Sequence, residues 1–297
     1  PKCVYCSIGK SKQRPHPAKG KSPKAKRFLE RLHIDCSTDH HTDSPSMSGK
    51  KYFMVIVDEW SGYRWIYFVS KLSDCTNIFR RFLQVQCQQP SKHPVRFVRT
   101  DGGGDFSTAF KVLLEDSEII HEPTPADSSE SNGTAESAIN TISQRTRTLL
   151  AWANLPPSYW AEAAQHAVHV LNLTPSTRNP GTASPYRMRT GREHDLTMLA
   201  PFGCLATVHI KPKDRNGKLR PAAAIGIYLG HGERSDGGIQ GYRVFKPSTN
   251  RIVVKHDVDL LPDIPAMQHI ARMASTSVQS QFLHRDVTAV INSHPRN

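Results

Sequence analysis

Long apolar runs are missing from this chain of 297 residues. The longest, such as residues 53–57 and 225–229, fall far short of the roughly 18–20 residues that span a bilayer as a helix, which excludes a helical membrane protein. Cysteine is scarce: six residues, at 3, 6, 36, 75, 87 and 204, with one close pair. That is no disulfide framework, and it points to a reducing compartment. Acid is short as well, with 26 Asp and Glu against 39 Lys and Arg. No internal repeat is visible, and the charged start shows no pattern of a cleavable signal sequence. Hydrophobic residues make up 37% of the chain. That is enough for a packed core and argues against a wholly disordered chain. The length suggests about two domains.

The net charge of +13 is unevenly placed. Residues 1–29 hold nine Lys or Arg and no acid, and residues 178–220 hold nine bases against three acids. The remainder is mildly acidic. Single charge runs are usually solvated faces, but two of them flanking an acidic core point to a polyanion. Nucleic acid fits better than an anionic membrane, because neither segment is amphipathic.

Hydrophobic periodicity predicts a strand ending near Asp35, paired strands over 52–57 and 63–69, and a helix over 73–86. A strand over 95–99 then leads into Gly102–Gly104, followed by a helix over 106–115 and a strand over 118–121. A polar loop over 122–131 precedes a long helix over 133–152. Leu155-Pro156-Pro157 breaks that helix before another over 159–171. Short strands over 206–210, 224–230, 241–245 and 252–257 suggest a small β-barrel. The domain reading is therefore 1–27 as a basic linker with a cysteine pair, 28–175 as an α/β core, and 176–200 as a second basic linker. Residues 201–262 form the small all-β domain, and 263–297 a linker or tail.

Three acids occupy informative places in that order. Asp35 lies on the first strand, Asp101 directly follows the fourth, and Glu136 sits in the first turn of the long helix. Acids at strand ends and a helix start can converge, and converging carboxylates repel unless cations neutralise them. Hard divalent ions with oxygen ligands, magnesium above all, suit such a site. Each acid alone has a plain structural role, such as capping a turn or favouring a helix dipole.

Several ordered blocks now carry a resemblance. LHIDCS at 32–37, YFMVIVDEWSGYRWIYFV at 52–69, RTDGGGDF at 99–106 and NGTAESAINTI at 132–142 resemble the integrase of copia-type LTR retrotransposons, a branch of the retroviral integrase superfamily. LPPSYWAEAAQHAVHVLN at 155–172, PFGCLATVHI at 201–210, IGIYLGHGE at 225–233 and GYRVFKPSTNRIVVKHDV at 241–258 extend it. The resemblance implies a fragment of a Pol polyprotein. It implies a ribonuclease H-like core, a mixed five-stranded sheet with flanking helices, followed by a small Src-homology-type barrel. It places the catalytic acids at Asp35, Asp101 and Glu136. These would hold two Mg2+ (or Mn2+) ions for polynucleotidyl transfer and endonuclease chemistry. The implied partners are double-stranded DNA, as element ends and target, and further copies of the chain, with no membrane. The implied setting is intracellular, in the nucleus and a cytoplasmic virus-like particle. The interval between Asp101 and Glu136 is 34 residues, one fewer than is usual in the family. Gly102, Asp105 and Ser137 stand where Asn, Glu and Arg are usual.

Cys3 and Cys6 have the spacing of half a zinc site. By the resemblance they close an upstream His/His/Cys/Cys module, so that Zn2+ belongs to the longer protein. Candidate DNA-backbone contacts are Lys10, Lys12, Arg14, Lys19, Lys21, Lys24, Lys26 and Arg27 in the first basic segment, and Arg187, Arg189 and Arg192 in the second. His40 and His41 read as exposed loop residues. Trp60, Trp65 and Tyr67 read as core more than as a base-stacking platform. Cys36, Cys75, Cys87 and Cys204 read as small buried residues. The competing readings are a transposase or ribonuclease of the same fold, and a catalytically decayed DNA-binding copy.

Overall fold

The computed structural model describes residues 24–37, 45–87, 95–101, 108–123, 133–215, 217–233 and 239–275. The first sheet opens with β1 (Arg31–Cys36), β2 (Tyr52–Asp58) and β3 (Arg64–Val69). Helix α1 (Cys75–Cys87) leads to β4 (Phe97–Thr100), and α2 (Thr108–Asp116) leads to β5 (Ile120–Pro123). Two longer helices follow, α3 (Gly133–Ala153) and α4 (Trp160–Leu173). The strands are ordered β3-β2-β1-β4-β5. β1 pairs antiparallel with β2 and parallel with β4, which itself pairs parallel with β5. The sheet is therefore mixed, as expected.

Every residue of β1 is buried, the signature of a central strand covered on both faces. Leu32, Ile34 and Cys36 face one layer, packed with Phe79 and Phe82 of α1 and Phe110 and Leu114 of α2. The opposite face of the sheet presents Phe53, Val55, Val57 and Ile66 to Ala138, Ile139 and Ile142 of α3 and Ala164 and Val168 of α4. Trp65 belongs to the first layer, with its ring centroid 5.0 Å from that of Phe82. Cys36 and Cys75 are buried, outside any disulfide, with their Sγ atoms 3.5 Å apart.

The second sheet comprises β6 (Cys204–His209), β7 (Ala223–Glu233), β8 (Ile239–Lys246), β9 (Arg251–Lys255) and β10 (Val258–Pro265), in the order β10-β6-β7-β8-β9. Its described pairings are all antiparallel. Before it comes α5 (Pro185–Thr190), and after it α6 (Ala266–Ser275).

Two boundaries differ from the sequence reading. Residues 263–275 are not tail: β10 runs to Pro265, and α6 buries Ala266 and Ile270 against Phe202, Leu205 and Ile227. Pro262 and Asp263 interrupt the apolar alternation where the pairing register shifts between Leu261 and Pro265, which hides the strand. Residues 176–200 are also not a bare linker. Ser184 caps α5 by accepting the Arg187 N–H at 3.1 Å, and Gly191 ends it in the left-handed region at φ 70°.

The second sheet docks on the α3–α4 corner. Leu155, Tyr159 and Ala163 share one cluster with Phe202, Leu205, Ile227 and Phe245. Arg243 adds a forked contact, donating from Nε and Nη2 to Glu162 Oε2 at 3.0 and 2.5 Å. No described helix is long and apolar enough to cross a membrane.

Candidate active site

Strand pairing brings two of the three candidate acids together. β1 and β4 run parallel with Ile34 opposite Thr100. One residue further along each strand, Asp35 and Asp101 are therefore neighbours at the carboxyl ends of paired strands. Alternation decides their face, because successive side chains on a strand point to opposite sides. Ile34 and Val98 belong to the layer of α1 and α2, so Asp35 and Asp101 project toward α3. Asp35 is 7% exposed and accepts the Cys36 N–H at 2.8 Å. Asp101 is half-buried. Behind it, on the other face, the Thr100 hydroxyl donates to the Asp101 carbonyl at 3.1 Å and lies 2.9 Å from His121 Nε2.

Glu136 is half-buried in the first turn of α3. Ala135, Ala138, Ile139 and Ile142 bury the apolar side of that helix. Its carboxylate lies at the helix end that favours negative charge. All three acids thus belong to one face of the first sheet. Among the described residues no three His, Cys, Asp or Glu side chains are gathered closely enough to hold a metal ion. The strand register sets Asp35 and Asp101 one residue beyond the last paired positions of β1 and β4. Residues 124–132 and Gly102–Gly104 lie outside the described residues. The donor set is carboxylate oxygen throughout, and this is the chemistry that magnesium and manganese take.

Sequence reasoning missed an ionic network on the same face. Arg31 and His33 alternate with Asp35 along β1. Arg31 pairs with Glu59 at 3.0 Å and with Glu122 at 3.2 Å, and Arg99 pairs with Glu122 at 2.6 Å. His33 Nε2 lies 3.7 Å from Glu59. Burial raises the Glu59 pKa, but nearby His33, the Ala25 N–H and Arg31 outweigh it and hold the carboxyl at about 2. Alternation of polar residues on β1 was the available signal: R-x-H-x-D on a strand whose other residues are apolar.

The candidate DNA contacts separate into kinds. Cys3, Cys6, Lys10, Lys12, Arg14, Lys19, Lys21, His40 and His41 lie outside the described residues. Lys24 and Lys26 are exposed, and Arg27 is half-buried. Arg187 is exposed and paired with Glu193 at 2.7 Å, and Arg192 is exposed. Arg189 is already engaged by packing. Its guanidinium carbon lies 4.5 Å from the centroid of the Tyr63 ring and 5.5 Å from that of Trp65. A cation stacked on two rings serves the fold before it serves DNA.

A mixed α/β core joined to a small antiparallel sheet, with acids at paired strand ends, defines a class of protein before any comparison. Residues 204–268 match the family model of the retroviral polymerase SH3-like domain. Over 257 residues the chain is 29% identical to the retrovirus-related Pol polyprotein from transposon TNT 1-94 of Nicotiana tabacum, covering 86% of this chain and 18% of that protein. It is 26% identical over 231 residues to the corresponding polyprotein from transposon RE1 of Arabidopsis thaliana, covering 77% of this chain and 15% of the relative. An uncharacterized mitochondrial protein of Arabidopsis thaliana is 34% identical over 86 residues, which is 68% of its length. The chain is thus similar to retrovirus-related Pol polyproteins of plant transposons, of whose length it spans a minor part.

Proposed function

We propose that this part of the polyprotein is an integrase that joins element DNA ends to target DNA. One observation carries the reading: Asp35 and Asp101 are neighbours at the ends of parallel strands, and the helix carrying Glu136 packs on the face they share. The sheet order and the helices on both faces support a ribonuclease H-like core, and the second sheet supports the small barrel that follows it in integrases.

Asp35, Asp101 and Glu136 would hold two divalent ions, which supply Lewis-acid activation of a 3′-hydroxyl and stabilise the leaving oxygen of the target strand. The chain's own part is to present carboxylates from rigid elements. Asp35 is held by the Cys36 N–H on a fully buried strand, and Asp101 is backed by Thr100 and His121. Arg31 and Arg99 are bonded to Glu59 and Glu122. The basic flanks would hold DNA backbones without reading sequence, since phosphate contacts position rather than specify. Double-stranded DNA as substrate implies action in the nucleus, and insertion of two ends implies more than one copy of the chain.

The test is strand transfer with short duplex ends and magnesium. Wild-type protein is expected to give joined products. Asp101→Asn is expected to give none while staying folded and binding DNA, because only a metal-facing charge is removed. Normal joining by the folded variant would take Asp101 out of the catalytic set. Cleavage of an RNA–DNA hybrid without joining would favour a ribonuclease, and binding without chemistry a decayed copy.

A further inference from the structure

The turn joining β2 and β3 gathers positive charge that nothing in the described structure balances. Arg64 opens β3 and, by alternation with Ile66 and Phe68, projects to the face covered by α3 and α4. Asn172 of α4 holds this strand end from both sides. It accepts the Arg64 N–H at 2.9 Å and donates from Nδ2 to the Arg64 carbonyl at 2.8 Å. The segment after α4 is tied to the same turn. Arg178 Nη2 donates to the Glu59 carbonyl at 3.2 Å, and Asn179 Nδ2 to the Ser61 carbonyl at 3.0 Å. Arg145 extends from α3 between buried Ile142 and Thr146.

These three guanidiniums act on one another. Burial first, then the charges of Arg178 and Arg145, lower the Arg64 pKa. Arg64 Nε is shielded from solvent and has no hydrogen-bond partner. Among the described residues, none of the three arginines has an ion-pair partner. The two carboxylates at the start of the same turn are committed elsewhere. Asp58 accepts the Leu29 N–H and both the N–H and hydroxyl of Ser61. Glu59 serves Arg31, His33 and the Ala25 N–H. A shielded guanidinium without a counterion is costly, and two more cations beside it raise the cost. A multivalent oxyanion relieves all three, because a guanidinium fork matches phosphate oxygens.

We propose that Arg64, Arg145 and Arg178 form a binding site for a phosphate group of a nucleic-acid backbone. The pairing register places it. Arg64 lies opposite Val57, which lies opposite His33, whereas Asp35 lies opposite Val55. The Arg64 backbone is thus two residues, about 7 Å, along the strands and two strands, about 10 Å, across from Asp35. That separates it from the acids yet keeps it within reach of one DNA strand passing over them. The site rests on the integrase reading for the carrier of the phosphate, not for the need of an anion.

The experiment measures binding by the full chain. Thermal unfolding is compared in chloride and in inorganic phosphate at equal ionic strength. Wild-type protein is expected to gain stability in phosphate, whereas Arg64→Gln loses that gain. In chloride the variant is expected to be at least as stable as wild type, since the cation removed had no counterion. Arg145 is exposed, so Arg145→Gln leaves the fold intact and is expected to diminish the same gain. For short duplex DNA, Arg145→Gln is expected to reduce the slope of log affinity against log salt by about 0.9. An equal phosphate response in wild type and both variants would overturn the site. A lost phosphate response with an unchanged DNA slope would overturn the nucleic-acid assignment and leave a site for free phosphate. Joining activity is not read, so failure of the integrase proposal would leave this result standing.

Discussion

At the scale of single residues, charge and burial set the chemistry. Glu136 lies in the first turn of α3, and Glu130, six residues upstream and outside the described residues, is the acid to compare it with. Metal catalysis needs ligands held by packing, and Glu136 sits in a helix anchored by Ile139 and Ile142. Glu136→Gln is therefore expected to abolish joining and weaken magnesium binding, with Glu130→Gln nearly normal in both assays. His166 offers a test independent of catalysis. Burial, then the neighbouring His169 and His231, push its pKa down to about 3, and its Nδ1 is shielded without a hydrogen-bond partner. The unfolded chain binds this proton near the ordinary value of about 6.5, so acid favours unfolding as pH falls below it. The stability present above that value drops by up to about 1.4 kcal/mol per pH unit. Between pH 7.5 and 5, denaturant unfolding is expected to show about 2 kcal/mol less acid loss in His166→Gln than in wild type.

At the scale of elements, close backbone approach decides what can be changed. Gly203 begins the second sheet at φ 80°, with its N–H donating to the Tyr228 carbonyl at 2.8 Å and its carbonyl accepting the Ala266 N–H at 3.0 Å. A methyl there would collide with the side chain of Ala153, at the end of α3. The helix therefore packs where only glycine fits. Gly203→Ala combines a left-handed backbone penalty with overpacking, and is expected to cost about 2–4 kcal/mol. Thermal unfolding checks it, and an unchanged midpoint would show that α3 and β6 can move apart freely. The elements themselves were largely legible. The strand pair over 52–69, the helix at 133–153 and its proline break follow from periodicity and breaker residues. β10 and α6 were not, because a proline and an acid interrupt the strand, and among the described side chains of the helix Ala266 and Ile270 are the buried ones.

At the scale of the whole molecule, two charge-rich regions have different fates. The second contributes α5 and the stacked Arg189 to the body of the protein, so only part of its charge is free for a polyanion. The first holds six bases in residues 1–23, and if half of them touch phosphate they add about three to the salt slope of DNA binding. Deleting residues 1–23 is expected to weaken duplex binding and lower that slope by this amount, measured by titration over a range of salt. An unchanged slope would assign DNA binding to residues 24–297 alone.

The sequence by itself determined most of the element order, the α/β part followed by a small β unit, and the similarity to retrovirus-related Pol polyproteins. Those features are local: periodicity, breakers and short motifs are written in contiguous residues. Tertiary structure alone decided which side chains became neighbours. Parallel pairing set the strand ends carrying Asp35 and Asp101 side by side across an interval of 65 residues. It directed Arg31 and His33 toward Glu59 and Glu122, and stacked Arg189 on Tyr63 and Trp65. It also left Arg64, Arg145 and Arg178 around one strand end without a counterion. No single-residue property foretells such groupings, because register and face, which set the distances between charges, exist only once the sheet has formed.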